Sequence, residues 1–323
     1  CCESVPSKAE YNTDEFSAEL LVPLIGGVFS LPGVRSLVAD GSFRIVDNSI
    51  AGKEHVWGAG LNWDTGFGLS FRGSRSRNFR APTLEQLFAP TSASNGPIGR
   101  DPCDVDSIDL GSNPSVRRQN CQALFAANPG YGPLGTFQDP AENTSLALIT
   151  TGGNPNLKNE ISDTWTYGVV IEPAFIPGLT ITADRIEVNL RQGLTAFSPA
   201  NFLATCFDST DYPNEACSSF TRNTQGYIVA ANQTTFNAAV VKYHGEVYNL
   251  NYRLPLERVF GKDLGTLEFN VEATHTTLAL SNATGFSEAR TEGTVSNPDW
   301  RGRLDVRYSK GPFRLFYQLY YLP

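Results

Sequence analysis

The sequence predicts an all-β protein whose strands build an antiparallel transmembrane β-barrel wall, and three observations carry that prediction. Apolar and polar residues alternate with period two in many separate stretches, as they must where one face of a strand meets lipid and the other meets water. The connections between those stretches alternate between short and very long, which is uncommon in compact soluble domains. Aromatic residues gather at the ends of the apolar rows, where a bilayer collects rings at its interfaces.

Taken in order, Phe16, Ala18, Leu20 and Val22 form the first row, and Leu37, Ala39, Gly41, Phe43 and Ile45 the second, opposed by Asp40, Ser42 and Arg44. Trp57, Ala59, Leu61 and Trp63 follow, then Phe67, Leu69 and Phe71. After an Asn-Pro-Asn-Leu-Lys-Asn-Glu turn at 154–160, Trp165, Tyr167, Val169 and Ile171 make a strand that a Pro177-Gly178 turn sends back through Leu179 and Ile181. The apolar parity then shifts to Ile186, Val188 and Leu190, and a bulge near Asp184 is the expected cause. Tyr248 to Leu254, Leu267 to Ala273, Leu304 to Tyr308 and Phe313 to Tyr321 complete a series on the order of ten strands. The short connections lie at 64–66, 173–178, 257–265 and 310–312, and the long ones at 78–159, 198–226 and 281–298.

Composition narrows the function. With 25 Lys and Arg against 33 Asp and Glu the formal charge is -8, so nucleic acid is not an expected partner. No apolar run reaches the length of a membrane helix, and Leu20 to Phe29 is broken by Pro23 and Gly26-Gly27. Barrel strands, with alternating faces, escape that criterion. Met is absent, so a chain processed or cut from something longer is expected. Cys103 with Cys121 and Cys206 with Cys217 are local pairs in polar long loops and read as disulfides rather than as metal ligands or free thiols, which points to an oxidising compartment. Cys1 and Cys2 are left without a role, lipid attachment being the alternative to partners lost by truncation.

Two blocks resemble the barrel domain of TonB-dependent outer-membrane receptors. One is Phe71-Arg72-Gly73-Ser74-Arg75-Ser76-Arg77-Asn78-Phe79-Arg80-Ala81-Pro82 with Leu87-Phe88; the other is Gly153-Asn154-Pro155-Asn156-Leu157-Lys158-Asn159-Glu160 with Ser162-Asp163-Thr164-Trp165. Asn159 stands where that family commonly has Pro. The resemblance implies residues 1–323 as a partial barrel domain, a portion of a 22-stranded barrel whose plug and energy-coupling segment are absent from this chain, with two unpaired sheet edges. It implies a bacterial outer-membrane location, lipid and the TonB complex as partners, and active uptake of a scarce small nutrient: siderophore, cobalamin or oligosaccharide.

Arg72, Arg75, Arg77 and Arg80 are the densest basic cluster, able to attract an anionic ligand or to pair with carboxylates. Phe125, Tyr131, Phe137, Phe207 and Tyr212 offer rings for a sugar or chelate, or for packing the loops. No catalytic motif is present, and Gly58-x-Gly60 lacks its third glycine. No cofactor or metal site is expected; Asp104 and Asp106 read as a solvated loop rather than a glycosidase or Ca²⁺ pair, and the sequons at Asn143, Asn232 and Asn282 as chance. The competing classes are a passive porin or surface adhesin, a secreted glycan-active β protein, and a soluble sandwich or propeller.

Overall fold

The computed structural model describes residues 9–26, 31–140, 146–284 and 288–323, and of Ala238 the backbone alone. Cys1, Cys2 and the Asn143 sequon lie outside the described residues. The wall consists of β1 (Thr13–Ile25), β2 (Ser36–Asn48), β3 (Gly52–Asp64) and β4 (Leu69–Arg80), and then, beyond the short loop strands β5 (Ser92–Gly96) and β6 (Ala147–Gly152), of β7 (Glu160–Ile171) and β8 (Leu179–Ala196). After β9 (Phe220–Arg222) come β10 (Ile228–Pro255) and β11 (Thr266–Asn282); after β12 (Ala289–Arg290) come β13 (Trp300–Lys310) and β14 (Phe313–Tyr321).

Each wall strand pairs antiparallel with the next wall strand, in the order β1-β2-β3-β4-β7-β8-β10-β11-β13-β14. This meander is an arc of barrel wall, with β1 and β14 as its two edges. A bilayer crossing takes about 9–11 tilted residues, and β4, β7, β13 and β14, at 12, 12, 11 and 9 residues, are about one crossing long. β8, β10 and β11, at 18, 28 and 17 residues, run on past it at the end that carries the long loops.

The two faces follow the period-two reading. Cross-strand register aligns Phe71, Val169, Ala183, Tyr248 and Ala273 on one face, followed by Leu69, Ile171, Ile181, Leu250, Val271, Leu304 and Leu319. Leu20 (67% exposed), Leu61 (46%) and Ile171 (38%) show how much apolar surface that face leaves uncovered by protein. Water does not favour such a surface and lipid does. The opposite face is polar, with Arg44–Glu15, Arg253–Glu268 and Arg303–Glu272 pairs.

The expected bulge near Asp184 is not there. β7 and β8 pair without interruption from Ile161↔Arg191 to Ile171↔Ile181, and in the β8–β10 pairing the shifts lie farther along, with the extra residue on β10 between Asn237 and Ala239 and on β8 between Leu190 and Gly193. The parity shift is instead an exchange of polarity along an unbroken strand. Below Asp184, Leu179 and Ile181 face lipid; above it, Arg185 and Glu187 occupy that same face and Ile186, Val188 and Leu190 turn to the other. A strand leaving the hydrocarbon no longer needs an apolar exterior.

Short turns join the strands at one end. Gly68 and Gly178 have φ of +73° and +92°, and a Cβ on them would lie 2.1 Å from the Glu172 carbonyl oxygen and 2.6 Å from that of Arg253, so each turn abuts the neighbouring strand at a point where only glycine fits. Phe67, read as a strand residue, sits in the β3–β4 turn, 78% exposed. At the other end the connections are long, except for a tight β2–β3 turn at 49–51 that the sequence reading missed, held by Asn48 Oδ1 accepting from the amides of Ile50 and Ala51.

Candidate functional site

The four arginines that cluster in sequence divide in space, because their positions differ in parity. Arg72 and Arg80 point to the polar face; Arg75 and Arg77 share the outward face with Trp57 and Trp165. Arg72 donates a fork to Asp184, Nε to Oδ1 at 2.7 Å and Nη2 to Oδ2 at 2.5 Å. Between them in register stands Gly168, where a Cβ would fall 2.1 Å from Asp184 Oδ1. The missing side chain lets the guanidinium reach across a whole strand. Arg80 pairs with Glu160, whose other oxygen accepts from the Leu194 amide at 2.6 Å, so one buried carboxylate ties β4, β7 and β8 at the rim.

At that rim the two blocks of sequence that carry the family resemblance pack on one another. Helix α1 (Leu84–Phe88) begins with a capping box between Thr83 and Gln86, and its end receives the second block: Asn154 donates its amide to the Gln86 carbonyl at 2.8 Å and Gly153 donates to that of Ala89 at 3.0 Å. A Cβ on Gly153 would lie 2.5 Å from the Leu87 backbone. Asn159, 4% exposed, uses the side chain that a proline would lack: Nδ2 donates to the Ala51 carbonyl and to Glu54 Oε1, both at 3.0 Å. The departure from the resembled pattern is a hydrogen-bonded link to the β2–β3 turn.

The described residues of the long connections 81–159 and 197–227, whose cysteine pairs read above as disulfides, fold together into a cap with its own core. Helix α2 (Pro114–Ala127) and helix α3 (Pro199–Phe207) pack around Ile98, Phe125, Phe197, Phe202, Leu203 and Phe207. Disulfides join Cys103 to Cys121 and Cys206 to Cys217, each within one loop. Buried ion pairs join one loop to the other. Arg117 donates Nη2 to Asp208 Oδ2 at 2.6 Å, alongside an Nε contact to Oδ1, and Nη1 to the Ser107 carbonyl at 3.1 Å. Arg222 forks onto Asp101, which is 0% exposed, and its guanidinium lies over Phe207 at 5.6 Å. Phe125, Phe137 and Phe207 are buried in this core and unavailable for stacking on a ligand; Tyr131 and Tyr212 are partly buried against it. Burial pushes the Tyr212 phenol above its usual range, with Arg222 opposing. In the 283–299 connection, the amides of Glu292 itself and of Ala279 hold the Glu292 carboxyl below the usual carboxylate range.

Asp104 is committed as well: Oδ1 accepts from the Asp106 amide at 2.8 Å and Oδ2 from that of Asp139 at 2.7 Å. Among the described residues no group of three or more His, Cys, Asp or Glu side chains is placed to hold a metal ion, and no helix is long and apolar enough to cross a membrane.

The family model described as "TonB dependent receptor-like, beta-barrel" matches residues 32–322. Solved structures share the fold at low identity. A mutant of the ferric enterobactin receptor PfeA from Pseudomonas aeruginosa is 13% identical with a TM-score of 0.53, over 93% of this chain and 31% of that one. The siderophore receptor PirA from Acinetobacter baumannii is 11% identical with a TM-score of 0.51, over 95% and 33%. This chain therefore spans about a third of the length of those receptors. No curated protein matches it in sequence. With an antiparallel meander of ten wall strands and a family match that covers nearly all of it, the chain belongs to the TonB-dependent receptor β-barrel family.

Proposed function

We propose that this chain is a segment of the wall and extracellular loops of a bacterial outer-membrane receptor that takes up a scarce nutrient, and that the whole protein adds a plug and an energy-coupling segment contacted by TonB. The observation that carries the reading is the two-faced arc: an uncovered apolar face, a polar face laced with ion pairs, and a folded cap on one rim. Such a wall holds a water-filled interior inside lipid. On this reading the chain's own groups bind and position. Arg72 and Arg80, spent on Asp184 and Glu160, stiffen the wall rather than hold cargo.

Siderophores, cobalamin and oligosaccharides are the candidate cargoes, and ferric siderophores come first because the two fold relatives above are siderophore receptors. The test is uptake of radiolabelled iron chelates by cells carrying the full-length receptor, with and without TonB. TonB-dependent accumulation of one chelate is expected. Uptake that persists unchanged without TonB would support a passive porin, and a protein recovered entirely in the soluble fraction would support a secreted β protein.

A further inference from the structure

The outward face carries a group of charges directly beyond its apolar band. Directly beyond the apolar band, Trp57, Trp165 and Tyr167 lie on the same outward face as Arg75, Arg77, Asp163 and Arg191. Tryptophan and tyrosine mark the boundary between hydrocarbon and headgroups, so these guanidinium groups stand at headgroup depth. Arg77 and Arg191 share the single carboxylate of Asp163, with Arg77 Nε at 2.8 Å from Oδ1 and Arg191 Nη2 at 2.6 Å from Oδ2. Arg75 is exposed and, among the described residues, has no carboxylate within ion-pair distance; its guanidinium lies over Trp165 at 4.9 Å and Trp57 at 5.6 Å. Glu187, beside Trp165 in register, is occupied by Arg185, which also holds Glu246, itself bonded by His275.

Three guanidinium groups, with Asp163 the one carboxylate ion-paired to them and Glu54 acting on Arg77 from farther away, make a cationic island in a chain whose formal charge is -8. At headgroup depth such a positive surface attracts anionic lipid headgroups. We propose that Arg75, Arg77 and Arg191 form a binding site for the phosphate-bearing headgroup of an outer-leaflet lipid. Guanidinium forks match phosphate oxygens in charge and geometry, and the rings flanking Arg75 hold it in place while seating the acyl region below. The site rests on the membrane-spanning reading but is independent of which nutrient, if any, is carried.

The experiment uses the full-length receptor extracted from the outer membrane in mild detergent, with retained phosphorylated lipid counted by native mass spectrometry. The wild type is expected to keep at least one such lipid. Arg75→Gln/Arg77→Gln/Arg191→Gln is expected to lower retention at least tenfold, given the attraction of anionic lipid to each basic group near the surface, while the matching Lys variants keep most of it. Equal retention in the Gln variant and the wild type overturns the proposal. Heat-modifiable migration in gels reports whether each variant is a folded barrel. If the triple variant does not fold, Arg75→Gln alone serves, since its loss strands no carboxylate; it is expected to weaken retention, and no change overturns the site. Inorganic phosphate supplied without lipid separates sources: displacement of bound lipid by millimolar phosphate would reassign the island to a soluble anion. Membrane insertion without lipid retention sinks this inference and leaves the uptake reading standing, whereas a receptor absent from membranes sinks both.

Discussion

At the scale of single residues the wall is organised by what a neighbour leaves out. Arg72 reaches Asp184 because Gly168 offers no side chain between them, and the pair then spans three strands. Gly168→Ala places a Cβ within 2.1 Å of Asp184 Oδ1 and 2.6 Å of the Ala183 carbonyl oxygen. Overpacking of this kind costs about 1–3 kcal/mol; Arg72 is half exposed, so the pair itself supplies little of that. The full-length receptor carrying Gly168→Ala is expected to unfold at lower urea, followed by tryptophan fluorescence, and combining it with Asp184→Gly should recover part of the loss. An unchanged midpoint for Gly168→Ala alone would remove the glycine from the account. Parity made this legible: numbering alone separates Arg72 and Arg80 from Arg75 and Arg77 once a strand is assigned. Reading the four as one cluster by density hid it. The partners Asp184 and Glu160 lie 112 and 80 residues away, a distance across which local pattern carries no information.

At the scale of elements, strands were far more legible than loops. A strand at a lipid boundary writes its environment into every second residue, so Trp165 to Ile171 and Leu267 to Ala273 announce both their conformation and their facing. The cap announces nothing comparable, because its core draws Ile98, Phe125 and Phe207 from irregular stretches with no common period. Cysteine spacing revealed the two clips but not the stitching between the loops. That stitching is electrostatic: Arg117 and Asp208 are 10% and 1% exposed, and removing one partner strands the other. Arg117→Ala is expected to destabilise the cap by about 3–5 kcal/mol while leaving the wall intact. Limited proteolysis in detergent should then cut within 81–159 or 197–227 at protease levels that spare the wild type. Cleavage confined to the wall strands, or none, would mean the disulfides and the aromatic core hold the cap without the ion pair.

For the molecule as a whole, the decisive feature is that the arc has two ends. Among the described residues β1 and β14 each pair on one side alone, so about half of their backbone groups point along the sheet toward no described strand. In hydrocarbon each such group left unsatisfied costs several kcal/mol, far beyond what the side chains of a single edge strand return. The outward rows of β14, Leu315, Tyr317, Leu319 and Tyr321, are between 50% and 59% exposed, which suits a strand lying in lipid with a further neighbour beside it. Residues 1–323 expressed alone and refolded into detergent are therefore expected to associate through these edges into a polydisperse population and to lack heat-modifiable migration. The full-length receptor should run as a single heat-modifiable species. Static light scattering reads the difference directly: a monodisperse monomer of the isolated chain, stable in bilayers, would require the arc to close on itself, β1 against β14, and would overturn its description as a portion of a larger barrel.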